Sequence, residues 1–456
     1  MNWNNLLSPC RQRESKRSES DMRSEFQKDY HRIVGSASFR RLQDKTQVFP
    51  LERGDFVRTR LTHSLEVSSF ASSLGQNVGN ILLQRGEIDE KQREAIVDIL
   101  RSAGLIHDIG NPPFGHFGES AIRLWFAEHM DELSFRGKKL SDLLTKRQQG
   151  DLLHFEGNAQ ALRLLSKLHF LVDENGMNLT YGILNTIIKY PVPSDRIDKS
   201  SGNVATKKMG YFHAEEDLYR KIVEQTGADG VRHPLAFLLE AADDIAYLTG
   251  DIEDAVKKEK ISYYALLEEL KKLESNEAKG LTEKLECDYA RAKANNMPSP
   301  AVNAVQNWVV KVQGFFIYRA GEAFLAHYRE IMDGTFGREL LSDGGVGELH
   351  KALGKIAYEY VFRSKEIVRI ELSAKPVFDF LLDTFVPASL GEGKDAIGDK
   401  RLRIISENYK TAFDVFSKNQ SDGEQAYRRL LLVTDYLCGM TDSYAKKLYQ
   451  ELSGIA

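Results

Sequence analysis

An apolar helical stretch, Ile96 to Ile106, runs directly into His107-Asp108-Ile109-Gly110-Asn111-Pro112-Pro113-Phe114-Gly115-His116-Phe117-Gly118-Glu119. Proline lacks the amide N–H and clashes with the preceding turn, so Pro112-Pro113 must end that helix. The chain therefore sets His107 and Asp108 at the end of a buried helix, on a stiff Pro/Gly loop, and opens a new helix near Glu119. Polar side chains at a helix end on a rigid loop are how a scaffold builds a site. A histidine beside an aspartate suits a divalent cation, but two ligands do not hold one.

Two further stretches offer the missing ligands. His63 lies in Arg58-Thr59-Arg60-Leu61-Thr62-His63-Ser64-Leu65-Glu66-Val67, at the start of an amphipathic helix to about Leu83. Asp243 lies in Leu238-Leu239-Glu240-Ala241-Ala242-Asp243-Asp244-Ile245-Ala246-Tyr247, within a helix expected from about Pro234 to Lys257. An acidic pair inside an apolar helix is costly to bury without a partner. Asp243, Tyr247 and Asp251 follow i, i+4, i+8 spacing and share one helical face, either lining a cavity or facing solvent. Asp244 is the rival ligand, but only Asp243 is one turn from Tyr247. Arg60, three residues before His63, shares its face. Asn111 is either a helix C-cap or a phosphate contact. His116 cannot share the face of His107, and Glu119 is placed to orient its ring.

The order H…HD…D resembles the signature of the HD phosphohydrolases. The longer strings RTRLTHSLEV, HDIGNPPFGHFGE, FEGNAQ, EAADDIAY and DYLCGMTD resemble the bacterial deoxyguanosine triphosphate triphosphohydrolases, over residues 39 to 443. The resemblance implies one divalent ion, Mn²⁺ or Mg²⁺, on His63, His107, Asp108 and Asp243. It implies hydrolysis of dGTP to deoxyguanosine and inorganic triphosphate, with His116, oriented by Glu119, as proton donor to the departing 5′-oxygen. Arg60, Lys189, Tyr190 and Lys208 match phosphate-side positions, and His154 fits the place of a further phosphate-side histidine. Gln47 matches the residue that reads the sugar 3′-hydroxyl and base edge. Tyr247 is expected to pack on the sugar, Asp251 to accept from the 3′-hydroxyl, and Glu371 to read the guanine edge. Other readings are a broad dNTP triphosphohydrolase, an HD nucleotidase, or a single-stranded DNA-binding regulatory protein.

Composition narrows the rest. The 456 residues carry a net charge of −4, which gives no global basic signal for nucleic acid. Cys10, Cys287 and Cys438 are too scattered for a disulfide framework or zinc knuckle. No stretch approaches the roughly 18 apolar residues of a membrane span, and the N-terminus has no apolar signal core, so a cytoplasmic setting is expected. The expected architecture is all-α. A charged arm covers 1–35, an HD-type core 36–260, and a helical region 261–456 completes the pocket and the contacts of a tetramer or hexamer that the resemblance implies. Residues 131–155 read as a charged, linker-like excursion. Helices are expected near 261–276, 277–294, 299–333, 346–363, 405–418, 423–438 and 443–453. The β-branched run Ile367-Val368-Arg369-Ile370-Glu371-Leu372 suggests a small hairpin, and the DYLCGMTD string reads as a helix end at Gly439 with Thr441 capping the next helix.

Overall fold

The prolines end their helix as the sequence requires. Helix α2, Glu90–Ile106, starts from an Asp89 capping box with Gln92 and stops at His107. It packs along α1, Arg60–Gln84, which starts from a Thr59 capping box with Thr62. After the proline turn, α3, His116–His129, begins at Gly115. A computed structural model describes residues 1–14, 20–48, 57–170, 172–391 and 396–455. Among these are 22 α-helices and a single two-stranded ladder, so the fold is all-α. No helix among the described residues is long and apolar enough to cross a membrane.

Two hydrophobic cores organise these helices. The first joins the apolar faces of α1 and α2 to those of α5, Pro234–Lys257, and α6, Pro300–Ala326. It runs on through Leu349, Leu353 and Ile356 to Ile367, so the packing crosses residue 260 without a break. The second joins Ile122, Trp125 and Phe126 of α3 to α7, Lys365–Leu390, α8, Asp422–Cys438, and α9, Asp442–Ser453. Helix α4, Gly157–Lys167, feeds Ala159 to the second core and Ala161, Leu162 and Leu165 to the first. Phe117, one residue past His116, packs against both. The loop from His107 to His116 thus spans the seam between the cores.

Three expectations from sequence fail here. Residues 367–372 are not a hairpin but the first turns of α7, capped by Ser364, with Ile367, Ala374, Val377, Phe378 and Leu381 buried at helical spacing. Packing of that face overrides the β-propensity of the branched residues. The ladder lies instead at Ser134–Phe135 and Lys138–Lys139, around Arg136 and Gly137 at φ 54° and 80°. Far from a linker, that stretch goes on into the helices Leu140–Leu143 and Lys146–Leu153. Nor is the N-terminal segment a solvated arm. Trp3, Leu6 and Leu7 are buried in the first core, and Arg11 is buried against Asp29 and Glu25. Ser15, Lys16 and Arg17, within the arm expected over 1–35, lie outside the described residues, as do Phe49 and Pro50.

Gly110 shows how tightly the loop is seated. A Cβ there would lie 2.2 Å from the Ala161 nitrogen and 2.2 Å from the Gly157 carbonyl oxygen, both backbone atoms of α4. Neither can move without shifting that helix. Gly110→Ala is expected to destabilise the protein by about 3 kcal/mol, the upper range for overpacking, measured as a lowered midpoint in denaturant unfolding.

Candidate active site at the seam of the two cores

Each helix delivers one kind of group. His63 is in the first turn of α1, His107 caps α2, and Asp243 lies midway along α5. Their ligand atoms all fall within 4.8 Å of one another. His63 Nε2 is 3.0 Å and His107 Nε2 3.5 Å from Asp243 Oδ1. Asp108 Oδ2 is 3.6 Å from His107 Nε2; that carboxylate also pairs with Arg60 and accepts from Asn111 Nδ2 at 2.8 Å. Asp244 also reaches the cleft but is paired with His350 at 3.1 Å.

The donor set fits a cation. His107 Nδ1 lies 2.8 Å from the Gly104 carbonyl oxygen, which can only accept. The hydrogen must therefore be on Nδ1, which leaves Nε2 of the neutral ring as a lone pair, the usual arrangement of a metal-ligating histidine. Nε2 is buried with no hydrogen-bond partner in the protein. Burial alone would lower the pKa of His107, but the carboxylates of Asp108 and Asp243 outweigh it and push it up to about 9. Burial likewise opposes ionisation of Asp108, yet Arg60 and His107 hold it down to about 2. A divalent ion at this point would displace that proton, since both take the same Nε2 lone pair.

His116 faces the cleft from the second core, its side chain 81% exposed. Its Nδ1 donates to Glu119 Oε2 at 2.8 Å. Glu119 is 1% exposed, accepts from the Gly157 N–H at 2.7 Å through Oε1, and takes Arg123 at 3.1 Å. The hydrogen bond to Glu119 raises the pKa of His116 against a smaller cost of burial. Burial works against the Glu119 carboxylate, but His116 leads the contacts that keep it below its ordinary value.

His107, Asp108, Asp243 and His116 border a cleft of about 430 Å³. Of the residues expected from sequence, Gln47, Arg60, His107, Asp108, Asn111, His116, Lys189, Tyr190, Lys208, Asp243, Tyr247 and Asp251 line it. Burial pushes the Asp251 carboxyl well above its usual range. Two expected substrate contacts fall outside. His154 is exposed at the end of the Lys146–Leu153 helix, and Glu371 is exposed on α7. Neither is among the residues lining the cleft.

Other groups were missed. Glu240 and Phe362 line the cleft, Phe362 at the end of the π-helical turn Tyr358–Phe362. Lys45 is buried beneath the loop and donates to the carbonyls of Asn111 and Cys438, each at 2.6 Å; burial pulls it down to about 8. Asp442 accepts from the N–H of Thr46 at 3.0 Å and of Phe114 at 2.9 Å. The DYLCGMTD string does end one helix at Gly439 and cap the next with Thr441, but it also ties α8 and α9 to the active-site loop.

A helical fold that brings histidines and aspartates from separate helices to one buried point defines the HD class, and residues 60–165 match the HD domain family model. A deoxyguanosinetriphosphate triphosphohydrolase-like protein of Listeria monocytogenes is 43% identical, with all of both chains aligned. One of the same description from Synechocystis is 34% identical, again over all of both chains. A deoxyguanosinetriphosphate triphosphohydrolase of Serratia proteamaculans is 33% identical, over 95% of this chain and 94% of its own. The chain belongs to this family of deoxyguanosinetriphosphate triphosphohydrolase-like HD proteins and is a phosphohydrolase.

Proposed function

We propose that the enzyme hydrolyses dGTP to deoxyguanosine and inorganic triphosphate, using Mn²⁺ or Mg²⁺ held by His63, His107, Asp108 and Asp243. The observation that carries the reading is co-location: one cleft holds His107, Asp108 and Asp243 of the cation cluster, three basic side chains, an exposed imidazole and aromatic residues. The bound cation would supply Lewis acidity toward a phosphoryl oxygen and the attacking water. Everything else falls to the chain. Arg60, Lys189 and Lys208 hold and neutralise the phosphates, the largest contribution expected in phosphoryl transfer. Water attacks the α-phosphorus, and His116, oriented by Glu119, gives its proton to the departing 5′-oxygen. Tyr247 packs on the sugar and crowds out a 2′-hydroxyl. Asp251 and Gln47 meet the 3′-hydroxyl, and Phe362 offers its ring to the base.

A broader dNTP preference is favoured by one observation. Glu371, the carboxylate expected to read guanine, is exposed outside the cleft. Incubating each dNTP with Mn²⁺, Mg²⁺ or Co²⁺ and resolving the products tests both readings. Free triphosphate with fastest turnover of dGTP is the expected result. Equal rates on all four would favour the broader enzyme. Release of pyrophosphate or single phosphate would overturn the triphosphohydrolase reading.

A further inference from the structure

Both lysines of the cleft are already engaged by buried carboxylates. Lys208 Nζ lies 2.9 and 3.1 Å from the two oxygens of Glu156, and Lys189 Nζ pairs with Glu240. Lining side chains count three cations, Arg60, Lys189 and Lys208, against five carboxylates among the described residues. Neither lysine can meet a polyphosphate with its full charge unless it changes partners.

The two pairs differ in what remains when the lysine leaves. Glu156 keeps Arg123, 3.5 Å away. Glu240 has only Lys189 as an ion-pair partner among the described residues. The other cation near it, Arg232, is committed to the carbonyls of Lys189 and Val204 and to Glu339. Its remaining charged neighbours, Glu339 and, on its own helix, Asp243, are acidic, and Tyr190 is neutral. The Glu240 side chain is 12% exposed.

We propose that Glu240 is a positioning residue for Lys189: it holds the ammonium at the cleft between turnovers, yields it to the phosphates of an arriving nucleotide, and recaptures it as the polyphosphate leaves. This rests on the polyphosphate reading of the cleft. A carboxylate so buried does not remain charged alone. As Lys189 turns to the phosphates, Glu240 takes one proton from solvent, and it returns that proton when the pair re-forms. Polyphosphate binding is thereby coupled to proton uptake, and the re-forming pair competes with the product for the lysine.

Calorimetric titration with inorganic tripolyphosphate and Mn²⁺, near neutral pH in buffers of different ionisation enthalpy, tests this. The proteins compared are the wild type, Glu240→Gln, Lys189→Met and the double variant. Glu240→Gln leaves Lys189 unpaired, so affinity is expected to rise about tenfold, the size of one charge-assisted hydrogen bond. Proton uptake should fall by about one proton per site. On the Lys189→Met background, Glu240→Gln should change neither quantity. Unchanged affinity and uptake in Glu240→Gln would overturn the inference. If that variant folds poorly, Lys189→Met decides alone, since it must also lose the uptake; retention would overturn the inference. A wild type that binds no tripolyphosphate and cleaves no dNTP would instead remove the reading beneath it.

Discussion

His107→Ala is expected to lower hydrolysis on the order of 10⁴-fold while the protein stays folded. A divalent ion contributes several kcal/mol of charge stabilisation to a phosphoryl-transfer transition state, and each 1.36 kcal/mol is about tenfold in rate. Apart from the carboxylates of Asp108 and Asp243, which Arg60 and His63 still partner, the fold loses at this ring only the Nδ1 bond to Gly104. Asp243→Asn should behave alike, because Asp243 Oδ1 lies 3.0 and 3.5 Å from the Nε2 atoms of His63 and His107. A second readout does not need turnover. Any ligand that binds only the folded state stabilises it, by about 2.7 kcal/mol at a hundredfold excess over Kd. Mn²⁺ should therefore raise the unfolding midpoint of the wild type and leave that of either variant unmoved. Full activity in His107→Ala, or an undiminished Mn²⁺ shift, would sink the assignment of the cluster as the cation site.

What sequence could reveal of this site follows from the range of the interactions. The proline stop, the helix ends at His107 and Thr59 and the shared face of Asp243, Tyr247 and Asp251 are local matters, set by residues within two turns of one another. They are also where expectation and structure agree most closely. Contacts closed by the tertiary fold left no local trace. Lys45 reaches a carbonyl 393 positions away, and Asp442 reaches back 396 to Thr46. Glu240 reads as one more polar residue in a helix, and only the return of the chain at Lys189 gives it meaning. Two errors had a signal. Trp3, Leu6 and Leu7 stand at i, i+3 and i+4, an apolar helical face hidden by the charged run after it. In the 367–372 run, the branched side chains outweighed a helical period that becomes plain only when the window extends to Leu381.

The pH dependence of turnover should report the His116–Glu119 pair. As the proton donor, His116 must be protonated, so activity falls as pH rises through its pKa in the folded enzyme. The Glu119 carboxylate raises that pKa, which extends activity to higher pH than an ordinary imidazole near about 6.5 would allow. Glu119→Gln removes the charge, and its amide oxygen can still accept from the Gly157 N–H. The basic limb of kcat/KM is then expected to move to lower pH. The same raised pKa makes His116 a stabilising group below its unfolded pKa, a contribution lost as pH rises through the folded one. With 81% of its side chain exposed, solvent screens most of that. The pH effect on rate should accordingly far exceed the effect on stability. His116→Ala is expected to cost on the order of 10² to 10⁴ in kcat, the usual worth of a general acid, and to abolish this limb altogether. A basic limb that stays in place in both variants would show that another group delivers the proton.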